Sequence, residues 1–367
     1  MKNYTTANAY YNRQSDYAKT AFDKDNIMPR RYVLVLTNLC NLTCTFCFQE
    51  RKKRDDRMRA KDWIKVINQI PKNSRITLTG GDPFMFKDFE IIFSKANEIA
   101  ETNMITNGLL LKNQKIEKLV NEKNFKVLAI SIDTIGNVNR DVTKPQWEKL
   151  LQQLKQFVDL REKKNKETAL DIKTVILEEN IEDLFKIHKF ATETLKADTH
   201  SFMLLKGAAI QHSDLMFNFE QIDKETEAYQ YKKFDILIDQ LNKIKEYDYK
   251  HGYKSYLHPN LLNFSDQKSF KKEDLIHLNN KKHDPNHFST CYAPWGCVYI
   301  NVDGNLFPCM AVSMGNVKIS KLSDIIFSDK FMKFKNIIRK KGTINGCNRC
   351  GYLRPRELSN LTIKQYN

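Results

Sequence analysis

The residues best suited to chemistry in this 367-residue chain are its eight cysteines, and their positions are not random. Cys40, Cys44 and Cys47 share one short stretch, the long middle of the chain has none, and Cys291, Cys297, Cys309, Cys347 and Cys350 crowd toward the end. Core cysteines scatter along a sequence, whereas clustered thiols in a reducing compartment act as ligands or nucleophiles. Three thiolates from one tight loop can cap three irons of a cubane and leave the fourth open to a small chelating molecule. The competing reading is a zinc loop. Structural zinc takes four protein ligands, and no His or fourth Cys lies close to Cys40–Cys47.

Such a loop needs a frame. Tyr32–Leu36 (YVLVL) is a continuous apolar, β-branched run, the pattern of a buried parallel strand, and the cysteine loop follows it directly. Trp63, Val66, Ile67 and Ile70 then repeat at helical spacing. Further strands are predicted at Arg75–Thr79, Thr102–Thr106, Val127–Ile132, Leu170–Leu177 and Ser201–Leu205, each separated from the next by an amphipathic helix. Strands alternating with helices predict an α/β fold with right-handed crossovers. Six units are too few for a closed eight-stranded barrel, so the expectation is a partial, open (β/α)6 barrel over residues 30–222, with its chemistry at the strand C-termini. Residues 1–29 read as a polar lead. Residues 223–288 read as a helical linker or lid, whose five histidines (His251, His258, His277, His283, His287) are too irregularly spaced to suggest ligands. Residues 289–367 form a cysteine-rich extension with short strands, a turn at Asp303-Gly304 and a helix near Phe331–Ile338.

The stretch LTNLCNLTCTFCFQ, with Phe46 before the last cysteine, resembles the radical S-adenosylmethionine (SAM) signature. The resemblance covers about residues 30 to 210. It implies a [4Fe-4S] cluster on Cys40, Cys44 and Cys47 and SAM as its partner. Leu78–Pro83 (LTGGDP) looks like the family's Gly-Gly-Glu-Pro motif, implying that Gly80, Gly81, Asp82 and Pro83 meet the SAM amino group; the Asp for Glu exchange is mild because the backbone makes that contact. Asn107 in ITNG, and Ser131 and Asp133 in SIDTIG, resemble segments that line the SAM ribose and substrate. Lys173 resembles a SAM-carboxylate contact and Asn180 a loop residue. Their ordinary readings are turns and, for Asn180, a helix cap.

Cys291, Gly304 and Cys309, followed by Cys347-x2-Cys350, resemble the auxiliary-cluster extension called SPASM, or its shortened form, twitch. No cysteine follows Cys350, so the resemblance implies one auxiliary [4Fe-4S] cluster on Cys291, Cys309, Cys347 and Cys350. A zinc ribbon has the same ligand arithmetic. Cys297 is then in excess, with three readings in order: an alternative ligand, a buried small hydrophobe, or a catalytic hydrogen-atom donor to a substrate radical.

Taken together, the resemblance implies an enzyme that cleaves SAM reductively to methionine and a 5′-deoxyadenosyl radical, which takes a hydrogen from an unactivated carbon. It also implies an electron donor such as a flavodoxin or ferredoxin. The expected substrate is a small molecule, a sugar or sugar nucleotide of a surface-polysaccharide pathway, undergoing oxidation or epimerisation. The alternatives are a SPASM-type peptide or protein maturase and, in another class, a non-catalytic Fe–S or zinc protein that binds nucleic acid. The net charge of +16 is spread over many lysines, and the densest basic run, Arg51–Lys61, lacks the interleaved aromatics that single-stranded nucleic acid would use. No apolar run of roughly 18 residues suggests a membrane span. The polar N-terminus lacks a secretory signal, and a cytoplasmic protein is expected.

Overall fold

The computed structural model describes residues 16–47, 57–164, 166–205, 227–253, 255–258, 269–309, 312–354 and 356. Most of the basic run after Cys47, and Gly207 beyond the sixth strand, lie outside the described residues.

Among the described residues ten strands form one sheet in the order β10-β9-β8-β1-β2-β3-β4-β5-β6-β7. The six expected strands are β1 (Arg31–Val35), β2 (Arg75–Thr79), β3 (Glu101–Thr106), β4 (Phe125–Ser131), β5 (Ala169–Ile176) and β6 (Thr199–Leu204), all parallel to their neighbours. Helices α1 (Ala60–Ile67), α2 (Phe89–Ile99), α3 (Asn113–Asn121), α4 (Lys144–Lys163) and α5 (Leu184–Lys189) make the crossovers. Two more parallel strands extend this run beyond the expected six. After α6 (Phe234–His251), β7 (Ser255–His258) joins β6, inside the stretch read as linker or lid. On the other side β8 (Cys297–Ile300), from the cysteine-rich region, pairs in parallel with β1. The antiparallel strands β9 (Asn305–Phe307) and β10 (Gly315–Asn316) complete that edge. Helices α7 (Leu322–Ile326) and α8 (Asp329–Lys341) follow. The barrel and its extension therefore share one continuous sheet.

The two faces of that sheet are chemically different. Tyr32, Leu34, Ile76, Leu78, Met104, Leu128 and Ile130 are buried in an apolar core with the crossover helices. A second core joins β5, β6 and β7 to α5 and α6 through Ile176, Phe202, Leu184, Leu237, Leu241 and Leu257. The alternate residues face a polar interior. There Arg31 Nε lies 3.4 Å from Thr77 Oγ1, and Thr77 donates to Asn103 at 2.7 Å. Asp171 takes Thr199 at 2.9 Å, Ser201 at 3.0 Å and Lys173 at 2.9 Å. A polar lining is costly to bury unless its groups are paired, and these side chains pair with one another.

Candidate active site

The cysteine loop leaves the C-terminal end of β1, and the end of β2 is pressed against it. Gly81 N–H donates to the Thr37 carbonyl at 2.7 Å and Asp82 N–H to the Leu39 carbonyl at 2.9 Å. A Cβ at Gly80 would come within 2.3 Å of the Thr37 oxygen, and one at Gly81 within 2.3 Å of the Leu39 oxygen. Two glycines are needed here because backbone meets backbone.

The fully buried Asp82 carboxylate accepts from Phe84 N–H at 3.0 Å, Thr106 Oγ1 at 2.6 Å and Asn107 N–H at 2.9 Å. Its side chain thus ties the ends of β2 and β3 together, while its backbone N–H holds the Leu39 carbonyl and its carbonyl takes Met85 N–H at 2.9 Å. Burial pushes its pKa up while those donors pull it down. Pro83 starts the one-turn helix that Asp82 caps.

The thiols themselves receive donors. Cys40 Sγ is approached by Leu42 N–H at 3.4 Å and Asn107 Nδ2 at 3.7 Å; Asn107 also holds Asn41 Oδ1 at 2.8 Å. Cys44 Sγ lies 3.7 Å from an Arg140 guanidinium nitrogen, and that guanidinium stacks 5.2 Å from the Phe46 ring centroid. Donors converging on sulfur are what a set of cluster thiolates requires, so the residues present fit an iron–sulfur group.

Of the other predicted contacts, Ser131 sits half-buried at the end of β4, its carbonyl taken by Asn137 at 3.0 Å. Asp133 is fully buried, with Arg140 Nε at 2.6 Å and Val175 N–H at 2.8 Å. The Lys173 ammonium is paired with Asp171 inside the barrel. Asn180 makes no cap bond; its side chain pins the Asp133 and Val175 carbonyls at 2.9 Å. Sequence reasoning missed Arg140, whose only signal is its place at the end of the loop after β4.

The second cysteine set lies at the opposite end of the barrel. Cys291 leads through a one-turn helix, Ala293–Gly296, into β8, and the Gly296 carbonyl accepts from Arg30 N–H at the start of β1. Cys309 follows β9, and Cys347 and Cys350 follow α8. Cys347 lies within electrostatic reach of Cys291, Cys350 and Cys309, and burial with these neighbours raises its pKa well above the ordinary thiol value. Cys291 is pushed up to about 12, chiefly by burial and then by Cys350. Bound metal would reverse this preference, because a coordinating thiol is deprotonated. Among the described residues no group of three or more His, Cys, Asp or Glu closes on one point as a single metal ion requires.

Cys297 stands apart from that set. It lies on β8 in register with Arg31, faces the polar interior, and takes the Tyr352 hydroxyl at 3.4 Å. Tyr352 in turn accepts from Arg31 at 2.6 Å and from Tyr299 at 3.3 Å. Burial pushes the Cys297 thiol pKa up, while Arg31, Tyr352, Arg75 and Tyr299 pull it back down. This geometry favours the packing and hydrogen-donor readings over ligation. Among the described residues the histidines of the former linker do not close on one point as metal ligands: His258 faces the barrel from β7, and His277 stacks on His287.

Comparison with known proteins agrees with this geometry at both ends. Residues 34–191 match the Radical SAM superfamily, and residues 291–351 match SPASM, an iron-sulfur cluster-binding domain. The sporulation killing factor maturation protein SkfB of Bacillus subtilis is 22% identical over 85% of this chain and 68% of its own length. Streptococcus suis SuiB bound to S-adenosylmethionine superposes with a TM-score of 0.60 at 19% identity, covering 85% of this chain and 69% of that one. The structure of anSMEcpe with bound AdoMet gives a TM-score of 0.60 at 15% identity, covering 92% of this chain and 95% of that one. No described helix is long and apolar enough to cross a membrane. With a [4Fe-4S] cluster and SAM implied by the first match and an auxiliary iron–sulfur cluster by the second, the chain belongs to the radical SAM superfamily and carries a C-terminal SPASM domain.

Proposed function

We propose that this enzyme modifies a peptide, removing hydrogen from an unactivated carbon of a residue threaded into the barrel mouth. The sugar or sugar-nucleotide substrate expected from sequence gives way to its alternative. The observation that carries this is the breadth of the likeness to SkfB, a maturation protein, over 85% of this chain. SuiB has also been seen bound to the precursor peptide SuiA and anSMEcpe to a peptide. The mouth supports the same reading. Met85, after β2, and Ile135 and Val138, after β4, are exposed apolar side chains on the loops at the cysteine end, with Val138 68% exposed. Apolar contacts of this kind suit a peptide better than a sugar.

Cys40, Cys44 and Cys47 would hold the radical SAM cluster, and Cys291, Cys309, Cys347 and Cys350 the auxiliary one. When bound, the cluster and SAM supply the 5′-deoxyadenosyl radical; the protein orients the reacting groups and keeps water out. Gly80, Gly81 and the Asp82 backbone fix the loop, and Asn107 and Ser131 stand at strand ends where SAM and substrate would lie. The polar barrel interior separates the two cysteine sets. The reaction requires a reductant, for which a flavodoxin or ferredoxin is suited.

The test is to incubate anaerobically reconstituted enzyme with dithionite, SAM and either a pool of unmodified synthetic peptides or a panel of sugar nucleotides. The peptide reading requires 5′-deoxyadenosine formation stimulated by peptides and a peptide product that has changed mass. Stimulation by sugar nucleotides alone would replace it.

A further inference from the structure

Among the described residues, Arg140 brings a charged donor to the cysteine loop. Its Nε is held by the buried Asp133 carboxylate at 2.6 Å, one terminal nitrogen reaches Cys44 Sγ at 3.7 Å, and the plane of the fork rests over Phe46. Only 12% of its side chain is exposed. Asp133 is fixed in turn by Val175 N–H, with Asn139 3.5 Å from the same oxygen that holds Arg140. The guanidinium therefore cannot swing to solvent without breaking a buried ion pair. Asp133 sits on its far side, so the positive end of the pair points at the sulfur.

We propose that Arg140 is a positioning and tuning residue that makes the radical SAM cluster easier to reduce. Reducing a cubane adds negative charge, and the potential depends on net charge, hydrogen bonds to sulfur and exposure to solvent. A fixed cation beside a ligand thiolate favours the reduced form, more strongly where water is excluded. Asn107 and the Leu42 amide donate to Cys40 without carrying charge, so they cannot replace it. The flat guanidinium can bond Asp133 and Cys44 at once, which a lysine ammonium at the same position could not do with the same geometry.

This inference rests on the assignment of Cys40, Cys44 and Cys47 as ligands, and the two can fail separately. The full chain and its Arg140→Gln, Arg140→Met and Arg140→Lys variants are reconstituted anaerobically and their iron is counted. The midpoint potential is then measured for the cluster whose EPR signal changes when SAM is added. Either neutral variant that folds and holds its iron should be displaced to more negative potential than wild type, with Arg140→Lys between the two. A neutral variant with full iron and the wild-type potential would overturn the inference and leave the cysteine assignment standing. Persistence of the SAM-responsive signal after all three cysteines are replaced would instead remove the assignment.

Discussion

The two cysteine sets occupy opposite ends of one parallel sheet and are assembled in opposite ways. Cys40, Cys44 and Cys47 come from a single loop at the C-terminal end of β1, braced by the glycines after β2 and by donors from the loops after β3 and β4. Cys291, Cys309, Cys347 and Cys350 come from three separate stretches at the other end, where burial and mutual repulsion dominate their electrostatics. Three ligands on a local loop leave an iron open for chemistry. Four ligands gathered by tertiary structure close a site and tie distant chain segments together. The first set should thus matter most for reactivity and the second for holding the C-terminal segment in place.

The largest effect that would sharpen this contrast is loss of the second cluster. Replacing Cys347 and Cys350 together by Ala should reduce iron from about eight to about four per chain and lower the unfolding temperature, while SAM cleavage continues. Zinc in place of the missing iron in the wild-type protein would break the contrast in favour of a ribbon.

Next comes the brace at the reactive end. Asp82→Ala leaves three buried donors without their acceptor, each loss costing about 1–3 kcal/mol, so chemical denaturation should register a total of about 4 kcal/mol. A cost close to zero would mean that the strand ends are held by something else.

His258, the last residue of β7, lies 3.4 Å from the Gly351 carbonyl, one residue past Cys350. Burial, ahead of the positive charge of Lys173, lowers its pKa from 6.5 to about 4. As pH falls the unfolded chain takes up this proton first, so the stability present above pH 6.5 is lost between 6.5 and about 4. The loss is as much as about 3 kcal/mol. His258→Gln should flatten that part of the stability profile, and an unchanged slope would contradict the burial argument.

The smallest effect belongs to Cys297. With its contacts on Arg31 and the two tyrosines rather than on the auxiliary cysteines, Cys297→Ala should keep about eight irons and an unchanged EPR spectrum. Thermal unfolding should report a loss of about 1 kcal/mol. Missing iron would restore it as a ligand.

Much of this arrangement was legible in the sequence because it is written in local patterns. The strand-helix alternation from β1 to β6 follows from apolar periodicity, and the cysteine loop and the Gly-Gly turn each lie within a few residues. β7 was hidden because SYLH is a four-residue edge strand with no period to read, and its partner strand lies far back in the chain. β8 was read as a strand, but its pairing with β1 depends on residues more than 250 positions apart, which no local pattern encodes. Arg140 and Tyr352 were missed for the same reason: an Arg in a loop and a Tyr near the C-terminus gain their meaning only from Asp133 with Cys44, and from Arg31 with Cys297.

In the proposed assignment the loop after β1, and not the set at the far end, performs the SAM chemistry. The direct measurement is 5′-deoxyadenosine released under dithionite by two reconstituted proteins side by side, one with Cys40, Cys44 and Cys47 replaced by Ala and one with Cys347 and Cys350 replaced. About four irons are expected in each, with 5′-deoxyadenosine from the second protein alone; release from the first would contradict the assignment.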